Sequence, residues 1–216
     1  MVVELVGPAG AGKSTLAQRA READATIQPL SLWGLPRLRL LASALALVPT
    51  MVTAILGKRR LRWPEIKYMI RLDALRGVLR SMSQRHDLIL LDEGPVFALG
   101  WLDLRLAGRR ATAPVAWHRR ALAEWAKLLD GVIFIDAPDT TLAHRIRTRT
   151  KRHRMRKGSD AAISRFAGGF RRAFDRVVTE LHRRGRLGVD MLVTDSRLDS
   201  SAPRLMTLLA RHRNGR

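Results

Sequence analysis

A chain of 216 residues, 46% hydrophobic and 27% charged, is long enough for one α/β domain with a sizeable core and too apolar to be disordered. The absence of cysteine excludes a disulfide framework and a thiolate metal site, and fits a reducing cytosol. The net charge of +21 favours polyanionic partners, but the basic residues run through the whole chain and aromatics are only 5%, so nucleic acid is not the expected partner.

Val2 to Val6 is a short apolar run ending at Gly7, which predicts a buried strand. No basic leader, apolar stretch and cleavage site precede it, so a cytoplasmic location is expected. Helical composition follows from Ser14 to Ala23, then a short strand within Ala25 to Leu30 and a turn at Gly34-Leu35-Pro36. Leu38 to Leu56 is apolar almost throughout, is broken by Arg39 and Pro49, and leads into Gly57-Lys58-Arg59-Arg60. Its length is marginal for a membrane span of about 20 residues. Pro49 favours two helical pieces packed in the fold; a peripheral membrane or protein contact through residues 38–60 is the alternative, ahead of a true span.

Trp63-Pro64-Glu65 predicts a helix start, with the helix running through Arg80. Asp87 to Asp92 and Gly131 to Asp136 predict buried strands, separated by a helix over Ala113 to Leu129. Thr140 to about Arg156, Phe166 to Arg184 and Pro203 to Arg211 predict helices, and Val189 to Thr194 the last strand. Apolar strands alternating with helices imply a parallel sheet covered on both faces. Residues 1–216 are expected to form one domain, with a helical region at about 31–80 over a second substrate and a lid at about 144–160.

Gly7-Pro8-Ala9-Gly10-Ala11-Gly12-Lys13-Ser14, followed by Thr15, fits the phosphate-binding pattern G-x-x-x-x-G-K-[ST]. Small residues let successive backbone N–H groups converge on a phosphate, and the helix that follows adds its positive end. Lys13 is expected at the β- and γ-phosphates of ATP, and the Ser14 hydroxyl on Mg²⁺. Asp92, closing an apolar strand, is the expected second magnesium ligand; Asp136, which also closes one, ranks behind it. Glu93 would face the ligand crevice and accept a proton from an attacking hydroxyl, unless it is a surface turn acid before Gly94-Pro95.

The segment from His144 to Lys157 is strongly basic, and a continuous helix would place Arg145, Arg149 and Arg152 on one face. Guanidinium groups there suit a lid over transferring phosphates, hinged at Gly158-Ser159-Asp160. A nucleic-acid stripe or a solvated basic face would use the same residues.

These motifs resemble the nucleoside and nucleotide kinase group of P-loop proteins, thymidylate kinase-like in particular. The resemblance is carried by Gly7 to Thr15, by Leu90-Leu91-Asp92-Glu93-Gly94, by Ile133-Phe134-Ile135-Asp136-Ala137-Pro138 with Arg145 and Arg149, and by Val193-Thr194-Asp195-Ser196. It implies a P-loop NTPase fold, a three-layer α/β/α arrangement on a parallel five-stranded sheet with a helical lid, and a final loop near the adenine ring. Members often carry an arginine after the second strand's acid, where it grips the acceptor; here Gly94-Pro95 stands instead. The Asp-Glu-Gly-Pro and the apolar middle segment are also similar to uncharacterised members linked to bacterial surface-polysaccharide synthesis. The implied activity is ATP-dependent transfer of the γ-phosphoryl group to a small acceptor such as a nucleoside, nucleotide or sugar. A regulatory ATP-binding protein that engages a membrane or a protein partner is the competing expectation.

Overall fold

In the computed structural model, residues 1–57, 61–106, 115–149, 153–194 and 200–214 are described. Five strands form one parallel sheet: β1 (Val2–Val6), β2 (Ile27–Leu30), β3 (Leu88–Asp92), β4 (Gly131–Asp136) and β5 (Gly188–Val193). Their order is β2-β3-β1-β4-β5. From β1 the chain runs to the edge strand β2, returns to β3 beside β1, then crosses to β4 and out to β5; β1 and its neighbour β4 thus send their connections to opposite sides, which makes the crevice beyond the C-terminal ends of β1, β3 and β4 the topological switch point. Register places Asp92 beside Leu5, and Phe134 beside Val6, so these strand ends stand together.

Alternation along the strands divides the core. Val3, Leu5, Leu90, Ile133 and Ile135 face the layer holding α1 (Lys13–Ala23) and α9 (Ser201–Asn214). Val2, Val6, Ile89, Leu91 and Val132 face the layer of α4 (Trp63–Met82), α5 (Pro95–Leu106), α6 (Val115–Ala126) and α8 (Asp160–Arg184). The anticipated three layers are thus present. The apolar middle segment forms two helices, α2 (Arg37–Ala46) and α3 (Val48–Leu56), with Pro49 in the first turn of the second.

Three segments differ from the expectation. Helix α5 is absent from the elements expected above. Pro95 opens it, a position where proline's missing N–H costs nothing, but Pro-Val-Phe-Ala-Leu-Gly-Trp-Leu is apolar on every side and shows no helical period. Gly100 lets it lie against α8, since a Cβ there would sit 2.6 Å from the Phe174 ring.

The basic helix is shorter than expected. α7 (Asp139–Thr148) stops where Arg149 turns extended (φ −64°, ψ 142°). Leu142, Ala143 and Ile146 anchor it, but Arg149, three residues beyond Ile146, is exposed and adds nothing to that anchor. Arg145 and Arg149 therefore do not share a helical face, and Arg152 lies outside the described residues. The expected hinge at Gly158-Ser159-Asp160 is instead the start of α8: Ser159 Oγ accepts from Ala162 N–H, the usual capping bond, and Asp160 pairs with Arg147 at 2.5 Å.

Candidate functional site

The loop that carries the phosphate-binding pattern joins β1 to α1. Its glycines are required by geometry. Gly7, Gly10 and Gly12 have φ of 150°, 88° and 96°. A Cβ on Gly7 would meet the Ile135 carbonyl oxygen at 1.9 Å, so the loop rests directly on the backbone of β4. No side chain caps α1 and its first turn holds no acid, which leaves the positive helix end to a ligand. Lys13 Nζ folds back onto the carbonyls of Gly7 (2.8 Å) and Pro8 (3.1 Å). Burial pushes its ammonium pKa down, and the nearby Asp92 and Glu93 carboxylates pull it back up.

Asp92 ends β3 beside the loop. Its Oδ1 is buried without a hydrogen-bond partner, which is costly unless a cation or a donor arrives with the ligand. Ser14 is the second residue of α1, and its hydroxyl and the Asp92 carboxylate are hard oxygen donors of the kind that could hold a magnesium ion. Among the described residues no group of three or more His, Asp or Glu forms a metal cluster, so most ligands of such an ion would be phosphate and water oxygens. Asp136 is engaged elsewhere. Both its oxygens accept from Arg171 of α8 (2.8 and 2.9 Å), and Oδ1 accepts from Ala137 N–H. Its ion pair with Arg171 ties β4 to the helical layer.

Glu93 holds φ at +61°, the only described non-glycine residue in the left-handed region. That turn aims it into the cleft rather than along the strand. The Trp33 indole N–H donates to its carboxylate, and its carbonyl accepts from Leu32 N–H at 3.3 Å. Trp33 in turn carries Lys67 and Arg71 over its ring, at 5.0 and 4.7 Å from the centroid.

Beneath this turn lies a residue that the sequence hides within an apolar run. Glu4, in the middle of the central strand, is fully buried. Its Oε1 accepts from Gly94 N–H (2.9 Å) and Phe97 N–H (3.0 Å), and its Oε2 from Val96 N–H (2.8 Å). Burial nevertheless dominates: it pushes the carboxyl pKa up to about 8 against those three bonds, with a smaller push from Asp92. The Gly94-Pro95 pair now has a physical meaning. A Cβ on residue 94 would stand 2.8 Å from Glu4 Cδ, and Pro95 starts α5 over the carboxyl group.

A cleft of about 720 Å³ joins these parts. Gly7, Gly10, Gly12, Lys13, Ser14 and Thr15 of the glycine-rich loop line it. So do the rings of Tyr68, Phe97, Trp101, Phe166 and Phe170, together with Glu93, Arg145, Arg149, His153 and Arg154. The rings form one packed chamber. Tyr68, the chain's single tyrosine, lies 4.3 Å from Trp101, and Phe166 meets Phe170 edge-on at 4.9 Å. Phe97 and Phe170 are parallel within 3° at 6.5 Å. The aromatic chamber goes beyond the sequence expectations. Its only trace there is i, i+4 spacing, Phe97 with Trp101 and Phe166 with Phe170.

Arg145 is held rather than free to swing. It donates to the Gly10 carbonyl (3.2 Å) and the Thr194 hydroxyl (3.1 Å), and the Thr194 hydroxyl donates within 3.1 Å of the Ala11 and Asp136 carbonyls. Thr194 thereby links the end of β5 to the phosphate-binding loop; Asp195 and Ser196, which follow it in the motif, lie outside the described residues. Arg149 reaches the cleft from the extended stretch after α7.

No protein-family model matches the chain, and no curated protein does. Solved structures do. Deoxyadenosine kinase from M. mycoides, with the products dCMP and a flexible dCDP bound, superposes with a TM-score of 0.57 at 12% identity, covering 98% of this chain and 100% of that one. The two chains share one fold. The same kinase with bound dATP gives 0.54 at 12% identity over 97% and 99% of the two chains, and with bound dCTP 0.52 at 11% over 98% and 100%. At such identity the likeness speaks for the fold, and the chemistry of the site rests on its own residues.

Proposed function

We propose that this protein is an ATP-dependent phosphotransferase whose acceptor is a small molecule with a planar ring, a nucleoside or nucleotide ahead of a bare sugar. One observation carries the reading: a single cleft is lined by the phosphate-binding loop, by an aromatic chamber and by Glu93. The loop glycines and the α1 N-terminus bind the triphosphate, and Lys13 leaves the Gly7 and Pro8 carbonyls to neutralise β- and γ-phosphate charge. Mg²⁺, held by Ser14 and Asp92, would neutralise charge on the phosphate oxygens. The chamber orients the acceptor ring by stacking. Glu93 accepts the proton of the acceptor hydroxyl as its oxygen bonds to the γ-phosphorus and the bond to the ADP oxygen breaks; an acceptor phosphate needs orientation only. Arg149 supplies positive charge to the transferring group, while Arg145 braces the loop from Thr194. The lid at about 144–160, the acceptor-covering region at about 31–80 and the single-domain organisation belong to this proposal.

The test is transfer of labelled γ-phosphate from ATP across a panel of nucleosides, nucleoside monophosphates and sugars. A ring-bearing acceptor should turn over, and Lys13→Ala should abolish both ATP binding and turnover. Tight ATP binding with no acceptor turned over would refute the phosphotransferase reading in favour of a nucleotide-dependent regulator. Unaltered binding and activity in Lys13→Ala would refute the nucleotide site itself.

A further inference from the structure

Helices α2 and α3 are apolar on the side they turn to solvent. Their inner face is already used: Leu47 and Ala54 are buried, and Leu40 and Met51 pack against the main core. The outer face of such a pair is normally polar. Here it presents Leu38, Leu41 and Leu45 from α2, at helical spacing, and Val52, Ile55 and Leu56 from α3. Leu38, Leu45 and Leu56 are 80%, 73% and 77% exposed. Charge on this segment is one-sided. Between Asp24 and Glu65 the sequence has no acid, but it has Arg37, Arg39, Lys58, Arg59, Arg60 and Arg62. Trp63, 69% exposed, stands beside the last of these, the pairing found where proteins meet a lipid headgroup region.

We infer that α2 and α3 form a docking surface for an anionic lipid bilayer, lying in the interface with the apolar stripe in the acyl boundary and the cations among the headgroups. We read the pair as lying on the membrane rather than crossing it, because α2 and α3 are bent by 41° at their junction and Leu40, Leu47 and Met51 pack against the main core. Among the described residues no single helix is long and apolar enough to cross a membrane. A second copy of the chain is a poor occupant, because a two-fold contact would bring together two copies of a segment that carries cations and no acid. An anionic leaflet answers both the apolar stripe and the unopposed charge. The inference does not depend on phosphotransfer.

Flotation of the full chain with unilamellar vesicles tests it, comparing phosphatidylglycerol–phosphatidylethanolamine with phosphatidylcholine alone. Binding is expected to the anionic vesicles and to fall with salt. Leu41→Gln/Ile55→Gln should lower it at least about tenfold and Arg37→Gln/Arg39→Gln about fivefold per charge, with melting temperature and ATP affinity unchanged. Arg21→Gln/Arg204→Gln, on α1 and α9, should leave it within about twofold, as these cations lie outside the surface. Three results would overturn the inference: anionic-vesicle binding that survives Leu41→Gln/Ile55→Gln, which would reduce it to bulk charge; no vesicle binding at all; or a lipid-free dimer that the same double substitution dissociates.

Discussion

Replacing Glu4 with glutamine keeps the shape of the buried side chain and removes its titration. In the unfolded chain a glutamate titrates near ~4.3, whereas in the folded protein burial holds the proton up to about 8. Between those values the folded state keeps a proton that the unfolded state has released. The stability contributed by the neutral carboxyl is therefore fully present below about pH 4 and is lost as pH rises through about 8. The expected slope is about 1.4 kcal/mol per pH unit, or on the order of 5 kcal/mol over the whole window, a large share of a typical folding free energy. Glutamine adds a pH-independent penalty of about 1–3 kcal/mol, because its NH₂ cannot accept from a backbone N–H. Urea unfolding of both proteins at pH 5.5, 6.5 and 7.5 measures the effect. All other titrating groups cancel in the difference, so the advantage of the parent over Glu4→Gln should shrink steadily as pH rises. A difference constant within about 0.5 kcal/mol would refute the reasoning; it would mean that the three N–H donors outweigh burial and that Glu4 is ionised throughout.

Gly7→Ala should cost at least about a hundredfold in ATP affinity by equilibrium titration, because its Cβ would collide with the Ile135 carbonyl. Trp33→Phe keeps a ring beneath Lys67 and Arg71 but removes the donor to Glu93; kcat/KM for the acceptor should fall about tenfold with ATP affinity unchanged. Thr194→Val leaves the Arg145 contact and two carbonyls without their hydroxyl, so thermal unfolding should show a loss of about 1–3 kcal/mol and ATP titration a weaker fit.

The parts of this molecule readable in the sequence are those where local chemistry dictates the backbone. The loop from Gly7 to Ser14 is one: its spacing alone demands a strand, a nest of N–H groups and a helix. The strands β1, β3 and β4 are another, since short apolar runs between turn residues have few alternatives. What the sequence conceals depends on partners distant along the chain. Helix α5 has no period because α8 and the sheet bury it on several sides. Glu4 reads as an interruption in a strand until the N–H groups of residues 94, 96 and 97 close over it. The aromatic chamber draws one ring from α4 and two each from α5 and α8, so no short window contains it. The end of α7 depends on an absence, the missing apolar residue after Ile146, which composition alone conceals beneath a run of helix-favouring arginines.

The left-handed turn at Glu93 has an evolutionary consequence. A side chain there costs about 1–2 kcal/mol that glycine would not. Glu93→Gly should therefore raise the melting temperature while removing turnover, a gain and a loss separable by calorimetry and the transfer assay. Drift under selection for folding alone would favour glycine or asparagine at this position; if Glu93 is the proton acceptor proposed above, a glutamate kept there against that drift is the mark of selection on chemistry rather than on the fold.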